Sequence, residues 1–148
     1  MTAAPLQPRP EAVDARPELL IESPVYDRLH ALATDALDTL PIIAADLLAE
    51  LERARLLAPG TLPRDVATIG SLLSYRDLGS GAIRSLRLVW PAAADVATMQ
   101  ISVLTPLGAA LIGLREGQQI DWRVREGEAR RLELIRVHGP GAGGAGPV

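Results

Sequence analysis

The chain has 148 residues, with 15 Arg, no Lys, 18 acidic residues and two His, so its net charge is −3. That length fits one domain, or a small domain with an appendage, and a hydrophobic share of 48% excludes a chain too polar to build a core. The absence of Cys excludes disulfides, thiol catalysis and Cys-ligated zinc or iron–sulfur centres.

In chain order, residues 1–18 read as a disordered tail, broken by Pro5, Pro8, Pro10 and Pro17. Residues 19–61 read as a helical hairpin. Ser23-Pro24 is a start signal, with Ser as N-cap and Pro at the first helical position. Val25, Leu29, Leu32 and Ala36 then form one apolar stripe. Asp38-Thr39-Leu40-Pro41 breaks this helix, and Ile43, Leu47, Leu51 and Ala54 continue a second one until Ala58-Pro59-Gly60. Two such helices, predicted over about 24–57, make an antiparallel hairpin. At 15–17 residues each they would be about 22–26 Å long.

From Leu62 the apolar period changes from 3.6 to 2, and residues 62–138 read as an antiparallel β domain with one short helix. Leu73 with Tyr75, and Leu86, Leu88 and Trp90, mark two strands around the turn Asp77-Leu78-Gly79-Ser80-Gly81. Met99, Ile101 and Val103 mark a third, with Gln100 and Ser102 on its wet face. Thr105-Pro106 caps the helix, Leu107, Leu111 and Ile112 give its apolar side, and Gly113 ends it. Ile120, Trp122 and Val124 mark another strand. Arg131 to Val137 is the last, where Leu132, Leu134, Ile135 and Val137 break strict alternation and suggest a bulge. The predicted core includes Leu73, Leu88, Trp90, Ile101, Val103, Leu111, Trp122 and Leu134. Residues 139–148, almost all Gly, Ala and Pro, read as a second disordered tail.

Charge divides unevenly: residues 1–61 carry ten acids and five Arg, and residues 62–148 carry eight acids and ten Arg. The acidic total and the scarcity of aromatic residues argue against sequence-specific nucleic-acid binding. No apolar run approaches the ~18–20 residues of a membrane span. Met1-Thr2-Ala3-Ala4-Pro5 lacks the regions of a secretory signal, so a cytoplasmic protein is expected. His30 and His138 have no metal-ligand spacing, and Gly113 to Gly117 does not form a phosphate loop. The expectation is therefore a protein with no catalytic residues, no metal and no cofactor. Asp35 and Asp38 fall near the hairpin tip, against the negative end of the first helix dipole. They read either as ordinary solvated acids or as functional ones.

The stretch Leu40-Pro41-Ile42 through Ala49-Glu50-Leu51-Glu52-Arg53-Ala54, followed by Pro63-Arg64-Asp65-Val66-Ala67-Thr68, resembles the Rnk family of regulators of nucleoside diphosphate kinase. The run from Gln100-Ile101-Ser102-Val103-Leu104-Thr105-Pro106-Leu107-Gly108 to Gly117 is similar to the segment these proteins share with the Gre transcript-cleavage factors. The resemblance covers about residues 19–137. It implies an α+β fold in which a short antiparallel coiled coil precedes an FKBP-like β domain. It also implies RNA polymerase as partner, bound at the secondary channel without transcript cleavage, because the hairpin is of the short class. By position, the docking loop would be Leu104, Thr105 and Pro106, with Leu104 where Gre proteins commonly have an acid. Asp35, Asp38 and Thr39 would stand at the tip. Three other readings stand beside it: the effect on nucleoside diphosphate kinase that names the family is either direct or genetic, Thr105-Pro106 is also a good helix cap, and an FKBP-like domain could be a prolyl isomerase or a chaperone-type binding domain. The isomerase reading needs an aromatic-walled pocket, for which this domain has only Tyr75, Trp90 and Trp122.

Overall fold

The computed structural model describes residues 17–125 and 128–138. Apart from Pro17 and Glu18, the two predicted tails lie outside the described residues. The chain opens with strand β1 (Leu19–Glu22) and helix α1 (Ser23–Asp35). Helix α2 (Pro41–Glu52) and strand β2 (Ala54–Leu57) follow. Next come β3 (Leu72–Asp77), β4 (Ile83–Val89), two short 3-10 turns at Pro91–Ala93 and Val96–Thr98, and β5 (Gln100–Ser102). Helix α3 (Pro106–Leu111) and the strands β6 (Gln119–Arg125) and β7 (Glu128–His138) complete the fold.

The helical stripes are largely where the sequence places them. Leu29 and Ala33 from the first helix, Ala36 at its C-cap, and Ala44, Leu47 and Leu51 from the second are buried, with Val25 and Leu32 packed at the margin. Both ends of the expected hairpin differ. Ala54 belongs to β2 and not to the second helix; β2 runs parallel to β1, with Leu19 opposite Ala54 and Glu22 opposite Leu57. The helices are therefore 13 and 12 residues, about 20 and 18 Å long, shorter than expected. Ser23 lies inside α1 and caps nothing; Glu22 is the N-cap residue and makes no side-chain cap bond. The Glu22 carboxylate instead accepts from the Gly60 and Leu62 N–H groups at 2.8 and 3.1 Å, tying the loop after β2 to the start of α1.

The five-stranded sheet has the order β5-β4-β3-β7-β6. It is mixed, which corrects the antiparallel expectation: β5 runs parallel to β4, with Leu88 opposite Ile101. The two 3-10 turns carry the chain across, and Met99, in left-handed backbone at φ 59°, turns it into β5. Met99 is exposed and lies before the strand, so the predicted Met99–Ile101–Val103 face is only partly right. Val103 is fully buried, but Ile101 is half-buried and Ser102 is buried too, its hydroxyl accepting from the Leu104 N–H at 2.9 Å.

Strand β7 does contain a bulge. Tyr75 pairs with Leu134 and Ser74 with Arg136, leaving Ile135 without a partner on β3. That extra residue resets the pleat, so Leu132, Leu134 and Val137 all face inward. Of the other predicted core residues, Leu73, Leu88, Leu111 and Leu134 are fully buried, while Trp90 and Trp122 are half-buried.

One buried cluster runs through both parts, joining Ile21, Leu29, Leu47 and Leu51 to Leu73, Leu88, Leu111 and Leu134. Backbone bonds seal the junction: Leu20 N–H donates to Gly113 O at 3.2 Å, and Gly113 N–H to Ala67 O at 2.9 Å. Gly113 has φ +82°, and a Cβ there would lie 3.0 Å from Leu19 Cβ, so only glycine lets β1 approach so closely. Arg28 of α1 adds a second link, its guanidinium 4.2 Å above the Trp90 ring.

Candidate functional site

The loop from Ser102 to Gly108 is held by its own hydrogen bonds. Thr105 Oγ1 accepts from the Gly108 N–H at 3.0 Å and donates to Ser102 O at 2.8 Å. Thr105 is thus the N-cap of α3, as its sequence position predicts, with Pro106 at the first helical turn. A Cβ at Gly108 would lie 2.2 Å from Ser102 O, so the loop and helix are in backbone contact there. Leu104, Thr105 and Pro106 are all half-buried, and Leu104 packs on the core. The docking loop and the helix cap are the same residues, and the cap is the role visible within the chain.

Pro106 also lines a groove of about 250 Å³ between α2, α3 and β6. Ile43, Asp46, Ala49 and Glu50 come from α2, Ala109 and Ala110 from α3, and Ile120, Asp121 and Trp122 from β6. The small side chains of Ala49, Ala109 and Ala110 leave the space open. Asp121 pairs with Arg131 at 3.2 Å, and Glu50 with Arg53. Trp122 Nε1 is buried without a hydrogen-bond partner among the described residues. Sequence reasoning placed Trp122 and Ile120 on one strand face but had no means to see this groove. Its walls are separated by dozens of residues.

Asp35 ends α1, and Asp38 and Thr39 stand in the link to α2; all three are exposed. Among the described residues, neither the Asp35 nor the Asp38 side chain makes a hydrogen bond or ion pair. Beside them Leu37, Leu40 and Ile42 are exposed by 39%, 42% and 57%, an apolar component of the tip that the stripe analysis missed. The described residues contain no group of three His, Asp or Glu able to hold a metal ion. None of their helices is long and apolar enough to cross a membrane. Tyr75 is buried in the core, Trp90 stacks on Arg28 and Trp122 lines the groove, so the three aromatic residues wall no common pocket. This arrangement gives no support to the prolyl-isomerase alternative.

The family described as "Transcription elongation factor, GreA/GreB, C-term" matches residues 62–139, the segment that carries the sheet, α3 and the capped loop. The chain belongs to that family of transcription elongation factors. A particular branch of it is visible in the regulator of nucleoside diphosphate kinase from Escherichia coli K12. That protein is 39% identical over 124 residues, covering 83% of this chain and 90% of the relative, so the likeness includes much of the helical part. The transcription elongation factor GreA of Syntrophobacter fumaroxidans is 35% identical over 92 residues, 62% of this chain and 58% of that one. Among solved structures, a prokaryotic GreA/GreB elongation factor from Nitrosomonas europaea superposes with a TM-score of 0.65 at 33% identity, covering 83% of this chain and 99% of that one.

Proposed function

We propose that this protein is a Rnk-type regulator that binds RNA polymerase at the secondary channel and does not stimulate transcript cleavage. The observation that carries the reading is the capped loop: Thr105 is fully engaged by Ser102 and Gly108, which leaves Pro106 fixed at the surface on the wall of a groove. In this reading Leu104, Thr105 and Pro106 form the docking contact, and the short coiled coil and FKBP-like β domain are the two working parts. The α1–α2 tip, with Asp35, Asp38 and Thr39, points toward the polymerase interior. Membership in the GreA/GreB family supports RNA polymerase as partner and the cytoplasm as location.

The test is affinity for core RNA polymerase of wild type and of Pro106→Asn, measured after thermal melting confirms that the variant folds. The expected result is a loss of binding of tenfold or more, about 1.4 kcal/mol, with little change in melting temperature. Unchanged affinity would leave the loop a helix cap and remove it from the contact.

A further inference from the structure

We propose that the α1–α2 tip docks on the outer face of the five-stranded sheet of a second copy of this chain. The sheet buries its inner face against the helices through Leu73, Leu86, Leu88 and Leu134. Register defines the outer face. Ile83 lies opposite Arg76 and Arg76 opposite Glu133; Ser85 lies opposite Ser74 and Ser74 opposite Arg136. A third row pairs Arg87 with Leu72, and Leu72 with His138. Residues paired across strands share a face, and the Ser74 and Ser85 hydroxyls do meet, at 3.1 Å. With strands about 4.8 Å apart and alternate residues about 6.8 Å apart, the three rows span about 10 by 14 Å.

This face is basic. Three Arg stand against one Glu in these rows, a net +2 with His138 neutral. Arg87 donates to the Gly70 carbonyl at 2.7 Å, which leaves its charge uncompensated. Among the described residues, the Arg76 and Arg136 side chains make no hydrogen bond or ion pair. Ile83 adds an apolar corner, 57% exposed. The tip is its complement. The chain has no Arg or Lys between Arg28 and Arg53. Asp35 and Asp38 are exposed there and bring −2, beside the exposed Leu37, Leu40 and Ile42.

Both surfaces thus join an apolar group to unpaired charge, with opposite signs. Arg–carboxylate pairs are among the stronger polar contacts, and like charges repel tip from tip and sheet from sheet. Within one chain the two surfaces do not meet. The helices pack on the inner face of the sheet, and Leu40, Ile42 and Ile83 all remain exposed. The contact therefore joins two copies. A tip held by a second copy is withheld from RNA polymerase, so self-association opposes that binding. This consequence rests on the polymerase reading, whereas the contact itself does not.

Sedimentation equilibrium of the full chain over a concentration series tests the contact. Wild type should associate. Asp35→Arg/Asp38→Arg reverses the tip, and Arg76→Glu/Arg136→Glu reverses the sheet; melting curves confirm that both fold. Each variant alone should associate at least tenfold more weakly than wild type. An equimolar mixture should associate again, because the sheet variant keeps an acidic tip and the tip variant a basic sheet. Ile83→Asp, a single exposed change, should also weaken association and probes the same face without placing Glu opposite Glu133. Wild type that stays monomeric up to about 1 mM overturns the proposal. So does undiminished association of the reversed variants, which would put the contact elsewhere, or a mixture no more associated than its components. Polymerase takes no part in this measurement, so its failure is separate from failure of the docking reading.

Discussion

At Gly108 the hydrogen that replaces a side chain decides the shape of the loop. A Cβ there would meet Ser102 O at 2.2 Å and Val103 Cα at 2.8 Å. In an open helix Gly→Ala gains about 1 kcal/mol; here the added methyl forces backbone apart and pulls on the Thr105 cap. Gly108→Ala should therefore lower the melting temperature, the reverse of its propensity effect, and a rise would show that α3 can slide away freely. Asp77 gives a residue-scale prediction about pH. It is buried, and its Oδ1 accepts from the Gly79 N–H at 2.9 Å while Oδ2 accepts from Arg130 at 2.7 Å. The Gly79 N–H is the main cause holding its carboxyl below the usual carboxylate range, with burial opposing and Arg130 assisting. A carboxyl lowered on folding stabilises the native state above its unfolded pKa of about 3.9, and that contribution is lost as pH falls toward the lower folded value. Urea melts across this acid range should show a shallower fall for Asp77→Asn than for wild type; parallel curves would mean another group carries the acid sensitivity.

Among the elements, β7 was the most legible despite its irregular pattern. Leu132, Leu134 and Val137 cannot share a face in a regular strand, and the structure resolves this by leaving Ile135 out of register with β3. Deleting Ile135 keeps all three inward, so the variant should fold with a modest loss of melting temperature. Deleting Glu133 flips one end of the strand and should abolish the cooperative melt. Equal damage from both deletions would mean that the bulge itself is needed. The cap Thr105-Pro106 was legible for a similar reason, because its bonds reach only three residues along the chain. β5 was less so. Its three residues pair in parallel with β4, and the turn through Met99 breaks the alternation that would have announced it. The β1–β2 pair was missed entirely. Four-residue apolar runs beside helices carry no distinctive period, and Leu19 lies opposite Ala54, 35 residues along the chain, with both helices in between.

For the molecule as a whole, the helices of 13 and 12 residues bear on activity. In the polymerase reading proposed above, their reach of about 20 Å stops the tip short of the polymerase metal. Metal-assisted cleavage needs carboxylates at about 2.0–2.1 Å from Mg²⁺, so a gap of a few ångströms removes it. In a backtracked-complex assay this protein alone should leave transcript length unchanged and should slow cleavage by an added Gre factor. Rapid shortening that disappears in Asp35→Ala/Asp38→Ala would show that the tip does reach the metal. The exposed Leu37, Leu40 and Ile42 make the tip more apolar than a metal-holding tip requires.

Features governed by neighbours within a few residues were readable from the chain alone. These are the two helical stripes, the Thr105 cap, the turn after β3, and the strand alternation with its fault somewhere between Arg131 and Val137. Local hydrogen bonding and the pleat decide such features, and they leave a period or a turn residue to read. The chain's family resemblance added an expected partner, which the polymerase-affinity experiment tests. Tertiary structure alone decided that the helical part shares one core with the sheet, that β1 and β2 run parallel, and that Trp122, Pro106 and Glu50 face one groove. Each depends on side chains meeting across long stretches of chain. Such meetings are selected by burial and shape once the elements exist, and no local pattern records them.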